Sequence, residues 1–505
     1  ILPYMPRITG LFSAEANYIQ TATSLQVSAE AGVEKLTYER QPVGNIGLGA
    51  TWLPGDKGTH YLNAYFRSGD QEVMTADAVL TQKNGRDSVE VNTTFEHFPL
   101  SLANAFMPDQ VVAFTGDIDG GLYISGAMEK PKLSGDLSLD SVSVYARQAG
   151  ARYWFDNRPL KIENNQLIFN KFAIYTTSRN PFTIDGNVDF RNMENPTAKL
   201  NLRAQNYTLL DAPRTKESMI YGKIFVDLNA TVRGPLDGLT MRGNMNLLGN
   251  TDVTYVLTDS PLTVEDRLGE LVTFTSFTDT TSVQATEVPT MSLGGMDMLM
   301  SVHIDDAVRL RADLSPDRSS RVELEGGGDL NLQYTPQGDL TLSGRYTLIG
   351  GMMKYALPVI PLKEFQFVNG SYVDWTGNPM NPSLNLTATE RVCASVSDGD
   401  DGGSRMVNFD VSISIKNRLE NPDLSFNLSA PDDATVQGEL AGMSADERSK
   451  QAITMLATGM YLYNSGKGGG LTMGSALNSV LQSQINALTG NLKNASLSVG
   501  IEDRT

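Results

Sequence analysis

The chain has 505 residues, with 40 Lys and Arg against 58 Asp and Glu, a formal net charge of −18 and a pI near 4.7. An acidic surface repels phosphate backbones, which argues against a nucleic-acid partner. Hydrophobic residues at 40% and charged residues at 19% exclude a disordered tail and a membrane bundle, and the single Cys393 excludes an intramolecular disulfide or a cysteine-rich zinc site.

No segment reaches the ~18 consecutive apolar residues that a membrane-spanning helix requires. Residues Ile1 to Met5 lack the basic start and long apolar run of a signal peptide. The chain opens in mid-pattern and ends on residues 496–502, a strand that has barely begun, so it reads as part of something longer.

From about residue 10 to 430 the pattern predicts strand after strand and no convincing long helix. An internal repeat organises it. Ile118, Leu122 and Ile124 lead through Gly126 into Leu133, Gly135, Leu137 and Leu139. The same order returns 108 residues later as Val226, Ala230, Val232, Gly234, Met241, Gly243, Met245 and Leu247. A third copy holds Leu340, Leu342, Gly344, Tyr346 and Leu348. Apolar residues two apart, separated mostly by Asn, Arg, Thr, Asp and Ser, mark strands with one apolar and one polar face.

Turn chemistry at residues 234–238, 335–338 and 420–423 separates the strands, and the acidic 398–403 stretch reads as a solvated loop. Short turns predict a long antiparallel meander. Its apolar face must be buried on something. A sheet curling lengthwise would leave an apolar trough; 25 to 35 strands at about 4.8 Å would make it about 120–170 Å long. A sandwich core is the plainer alternative, though sandwiches come in units of about 100 residues with varied connections.

The candidate lining of such a groove is Leu133, Leu137, Leu139, Val226, Leu228, Val232, Met241, Met245 and Leu247 in the first two repeats. Further along it is Leu332, Leu340, Leu342, Tyr346, Leu348, Phe365, Phe367, Leu384 and Leu386, then Phe409, Val411, Ile413, Leu424, Phe426 and Leu428.

The tail changes character. Ser444 to Glu447 reads as a capping box opening a helix through Arg448, Lys450, Ile453, Leu456 and Met460. The glycine-rich run 466–470 breaks it. A second helix is predicted from about Leu471 to Leu488, striped by Leu477, Val480, Leu481, Ile485 and Leu488. These helices are read as capping the end of the sheet, with interfacial membrane contact as the alternative.

No constellation for catalysis or metal binding emerges. His60, His97 and His303 are scattered without ligand spacing, and the 398–403 loop lacks an acid at the twelfth position of a calcium loop, where Phe409 stands. Lys467 is followed by Gly468 where a phosphate loop requires Ser or Thr. Asp305 and Asp306 are adjacent and therefore point to opposite faces of a strand. The chain is read as no enzyme, with no cofactor and no metal.

Residues 328–332 lead into 338–351, then 365–371, Trp375 to Pro379 and Asn381 to Ala388. This succession, continued by Leu424 to Pro431 and the 439–456 stretch, resembles the C-terminal region of the TamB family, in the AsmA-like superfamily. Residues 447–452 and 458–462 resemble its Bacteroidetes branch. The resemblance is specific from about 305 to 505 and upstream rests on the repeat pattern.

The resemblance implies an all-β, elongated curled sheet, a β-taco or half-pipe with an apolar groove and a short helical segment near the C-terminus. The expected division is a repetitive body over 1–305, the family core over 306–430, helices over 431–490 and a cut terminal strand over 491–505. It further implies a periplasmic protein, anchored in the inner membrane when full length, that meets an outer-membrane barrel of the TamA/BamA type. Phospholipid acyl chains are the implied cargo, moved between inner and outer membrane in support of outer-membrane protein assembly and secretion. The alternative is a chaperone-like scaffold that pairs with barrel precursor strands without moving lipid.

Overall fold

The structure, a computed structural model, describes residues 7–461 apart from 23, 84–85, 108–111, 148, 216–217, 257–294, 314–318, 356–361, 380, 398–403 and 420. The expected second helix at 471–488, the glycine-rich run, the acidic loop and the terminal strand lie outside the described residues. The chain forms two compact units, 1–244 with 294–298 and 245–293 with 299–505.

In the first unit the strands are β1 (Ile8–Gln20), β2 (Leu25–Tyr38), β3 (Gln41–Pro54), β4 (Thr59–Ser68), β5 (Gln71–Lys83), β6 (Arg86–Pro99), β7 (Val112–Ala127) and β8 (Lys132–Ala146). They continue as β9 (Ala151–Phe155), β10 (Leu160–Glu163), β11 (Gln166–Tyr175), β12 (Phe182–Asp189), β13 (Thr197–Ala212), β14 (Ile220–Pro235) and the start of β15 (Thr240–Leu247). Successive strands from β1 to β9 pair antiparallel, β10 joins β8 to β11, and β11 to β14 resume the meander.

The second unit holds β16 (Asp252–Val256), most of β17 (Asp297–Ile304), β18 (Arg309–Asp313), β19 (Arg321–Tyr334), β20 (Leu340–Tyr355), β21 (Lys363–Phe367) and β22 (Tyr372–Gly377). After these come β23 (Ser383–Ser397), β24 (Ser404–Arg418), β25 (Asp423–Ser429) and two helices, α1 (Ala434–Gly442) and α2 (Ala445–Thr458). The all-β fold expected from the sequence is therefore present, with 25 strands in mixed sheet among the described residues.

It is mixed because parallel pairing joins the antiparallel ladders. β16 and β18 pair parallel, Asp252 opposite Arg309 and Val256 opposite Asp313. Parallel neighbours require a long connection, and residues 257–308 separate these two strands in the sequence. The purely antiparallel expectation is corrected at this point.

The repeat glycines have a steric cause. A Cβ on Gly135 would lie 2.1 Å from the Gly121 carbonyl oxygen, on Gly243 it would lie 2.4 Å from that of Asn229, and on Gly344 it would lie 2.3 Å from that of Asp329. Three copies thus use glycine for the same close backbone approach.

A second repeat escapes the sequence pattern. The ladders shift register between Val33 and Leu36, Phe95 and Phe98, Phe169 and Phe172, and Ala204 and Tyr207. In each bulge one residue takes positive φ: Lys35 (51°), His97 (49°), Lys171 (47°) and Asn206 (45°). Its backbone N–H donates to Oδ1 of Asn45, Asp119, Asp185 or Asp227 on the next strand, at 2.8, 2.8, 2.8 and 2.7 Å. Each bulge bends its strand, and its odd spacing returns the apolar residues on both sides to one face. Phe95 and Phe98, and likewise Phe169 and Phe172, pack edge to face with ring centroids 5.9 Å apart.

Candidate functional site: the apolar face

Register places the apolar residues of the first unit in columns that cross the strands. One column runs Tyr18, Val27, Trp52, Leu62, Ala78, Val91, Ile124 and Leu133. The next holds Ala16, Ala29, Ala50, Ala64 and Ala76, then Thr93, Leu122 and Gly135. Five consecutive alanines, flanked on β1 and β2 by Ala14 and Ala31 and further on by Leu48 and Phe66, leave a shallow stretch of the face. It opens as a concavity of about 290 Å³ at β1 to β3, lined by Ala14, Glu15, Ala16, Ala29, Glu30, Ala31, Leu48 and Ala50. Leu48 is 54% exposed there, so this part of the face is open to solvent.

The sequence reading missed this row. It weighted large apolar residues, and the feature is made of small ones.

The residues singled out in the sequence fall on apolar faces in register. In the first unit Leu133, Leu137 and Leu139 are half-buried opposite Ile124, Gly120 and Ile118. Val226 and Val232 are buried, and Leu228 and Met241 are half-buried. In the second unit Met245, Leu247, Leu332, Leu342, Leu424 and Phe426 are half-buried, whereas Leu340 is exposed. Tyr346, Leu348, Phe365, Phe367, Leu384, Leu386, Phe409, Val411, Ile413 and Leu428 are buried. Phe426, Ile413 and Ala388 form one continuous cross-strand row.

Helices account for part of that burial. α2 packs on β25 and β24, and the Tyr461 ring lies 4.9 Å from that of Phe409. The Ser444 to Glu447 capping box forms as the sequence predicts: Ser444 Oγ accepts from the Glu447 N–H at 3.2 Å, and Glu447 Oε2 accepts from the Ser444 N–H at 2.8 Å. The Ser444 N–H and hydroxyl, both donating to Oε2, hold the Glu447 carboxyl below its ordinary pKa. Asp433 caps α1 and also pairs with Arg405 of β24. Arg448 donates to the Met443 and Leu440 carbonyls at 2.6 and 3.2 Å and to Asn427 Oδ1 at 3.2 Å, fastening both helices to β25.

Charges mostly occupy the opposite face. Arg345 forms a two-pronged pair with Asp374 at 2.7 and 2.8 Å, and Arg391 with Asp410 at 2.8 and 3.1 Å. His97, Asp119 and Asp140 come together on three adjacent strands, with possible ligand atoms within 4.8 Å of one another, a spacing that a divalent cation could bridge. Sequence spacing could not show this, because the His97 bulge brings the group together. Asp119 already accepts the His97 N–H, and His97 Nδ1 lies 3.4 Å from Asp119 Oδ2 as a surface pair.

One charged pair breaks the rule. Glu390 follows Leu384, Leu386 and Ala388 on the apolar side of β23 and lies opposite Val411, which is fully buried. Its Oε1 is 3.5 Å from Lys363 Nζ, while Oε2 is buried with no hydrogen-bond partner. Burial pushes its carboxyl above the ordinary glutamate pKa, opposed by Lys363. Tyr346 also keeps a buried hydroxyl without a partner, and burial raises its pKa.

These features define a class: an all-β protein whose strands offer an apolar face, and whose candidate site is a surface for apolar contact. The model of the TamB C-terminal domain matches residues 170–504, and the chain belongs to the TamB family, that of the envelope-associated translocation and assembly module. No curated protein matches the chain. Among the described residues no helix is long and apolar enough to cross a membrane.

Proposed function

We propose that the apolar face holds phospholipid acyl chains and carries them through the periplasm between the two membranes, in support of outer-membrane protein assembly. The observation behind this reading is the alanine row, a shallow apolar concavity at β1 to β3 that continues in register to β5. Apolar contact is non-directional, so such a surface accepts chains of varied length. No nucleophile, base and orienter meet among the described residues, and a carrier needs none.

The test is a photocrosslinking residue at position 50, with lipid extraction of the detergent-free chain. Lipid crosslinked at the alanine row and co-isolated with the chain is the expected result. Aspartate at Ala50, Met245, Leu342 or Phe426 should abolish transfer between vesicles while the strand circular dichroism persists. A chain that never co-isolates with lipid overturns the reading.

A second reading has its own support. Among the described residues β1 pairs with β2 alone, and Ile8, Leu11, Phe12, Tyr18 and Ile19 are 61–74% exposed. Barrel precursors of the outer membrane could add a strand there. Crosslinks from β1 to unfolded barrel precursors, with none to lipid, would favour it.

A further inference from the structure

The bulge at His97 shares its backbone contact with the three others but differs in what surrounds it. Asp119 Oδ1 accepts the His97 N–H at 2.8 Å, as Asn45, Asp185 and Asp227 accept in theirs. One strand further on, the β7–β8 ladder also shifts register, between Thr115 and Asp117, and Ser141 takes φ 52°. Bulges re-aim side chains. Here two of them flank β7 and bring His97, Asp119 and Asp140 together, with ligand atoms within 4.8 Å of one another.

The separations suit metal ligands better than a hydrogen bond. His97 Nδ1 lies 3.4 Å from Asp119 Oδ2, outside the usual N–H···O range of about 2.7–3.2 Å. Two ligands on a tetrahedral cation, each bonded at about 2.0–2.2 Å, stand about 3.4 Å apart. His303 Nδ1 and Asp329 Oδ1, by contrast, meet at 2.7 Å as an ordinary hydrogen-bonded pair. Both carboxylates of the cluster are also held from behind. Asp119 Oδ1 takes the His97 N–H, and Asp140 Oδ1 accepts from the Ser141 hydroxyl at 2.9 Å. Each keeps a second oxygen to offer, as in metal sites whose ligands are oriented by outer partners.

Charge points the same way. Asp117 stands directly opposite Asp140 across β7 and β8, and like charges directly opposite destabilise a sheet. Among the described residues no Lys or Arg pairs with Asp117, Asp119 or Asp140. The His97 side chain is 70% exposed, so a cation has an open path to it.

We propose that His97, Asp119 and Asp140 bind a divalent cation of the zinc type, with water completing its coordination. One imidazole and two carboxylates suit zinc, whereas calcium and magnesium require an all-oxygen set. His97 ligates through Nδ1 and each aspartate through one oxygen. The cation offsets the repulsion among the carboxylates and ties β6, β7 and β8 together at the paired bulges. Asp119 and Asp140 alternate with the apolar Ile118 and Leu139, so the site lies away from the apolar face and is independent of the lipid-carrier reading.

The experiment strips the full chain with EDTA and titrates it with zinc chloride by calorimetry. Wild type should bind one zinc per chain, and zinc should raise its urea midpoint. His97→Asn supplies a residue that tolerates left-handed backbone, as Asn206 does in its own bulge. It should weaken zinc binding at least about tenfold, the effect of losing even an outer-sphere partner. Asp140→Asn should do the same, and His303→Asn should leave binding unchanged. No binding by wild type overturns the site, and so does equal binding by wild type, His97→Asn and Asp140→Asn. Weakening in His303→Asn alone would place the zinc elsewhere and overturn it too. Should His97→Asn fail to fold, Asp140→Asn decides alone, because it leaves the His97–Asp119 contact in place.

Discussion

The Lys171 backbone N–H donates to Asp185 Oδ1 at 2.8 Å across β11 and β12, and this contact holds a lysine in the left-handed region at φ 47°. Left-handed backbone costs a non-glycine residue roughly 1–2 kcal/mol. A carboxylate aimed at the exposed N–H offsets that cost. Because the contact recurs at Lys35, His97 and Asn206, the bends in this unit are built features.

Asp185→Ala should therefore free the Lys171 amide. The contact is solvent-exposed, so the expected loss is about 1 kcal/mol, read as roughly fivefold faster amide exchange at Lys171. Asp185→Asn keeps the acceptor, as Asn45 does in its own bulge, and should leave exchange unchanged. Equal effects from both substitutions would show that the contact does not hold the bend.

Gly135→Ala places a Cβ 2.1 Å from the Gly121 oxygen at a φ of +150°. β7 and β8 would have to part, at a cost of about 3 kcal/mol or more. Gly350→Ala is the control, since nothing lies within 4 Å of its Cβ. Urea midpoints should fall for the first and hold for the second. A normal midpoint for Gly135→Ala would remove the steric account of the repeat.

Alternation made the strands, the repeat and the apolar side of most strands legible, because a period of two needs only local residues. The bulges were hidden for two reasons. Their left-handed residues are Lys, His and Asn, which carry no glycine signal, and Phe95 to Phe98 spans three residues, a spacing that suggests helix. The parallel β16–β18 pair depends on a long connection, so no local pattern announces it. Glu390 was legible in principle. It continues the series Leu384, Leu386, Ala388, and only its charge argued for the other face.

Asp433 joins helix to sheet, accepting from the Thr435 and Val436 N–H groups at 3.1 Å each while pairing with Arg405. Asp433→Ala should cost about 1 kcal/mol from the cap alone, and the lost ion pair adds to it. Limited proteolysis should then cut within 431–458 before any strand is lost. Ser444→Ala removes the second cap at about 1 kcal/mol and should act in the same direction. Helices that stay protected in both variants would mean that apolar packing on β25 suffices.

Glu390 yields a pH dependence with a definite sign. Burial raises its carboxyl pKa in the folded chain, with Lys363 opposing, so the folded state binds this proton more tightly than the unfolded state does. Its contribution is then complete below the ordinary glutamate value of about 4.3 and declines as pH rises through the raised value. Glu390→Gln stays neutral and lacks that decline, and Lys363, partly exposed, can turn its ammonium to water. Denaturation midpoints should thus be equal near pH 4, with the variant at or above wild type at pH 7. A variant that is weaker at pH 7 would show the pair to be net stabilising.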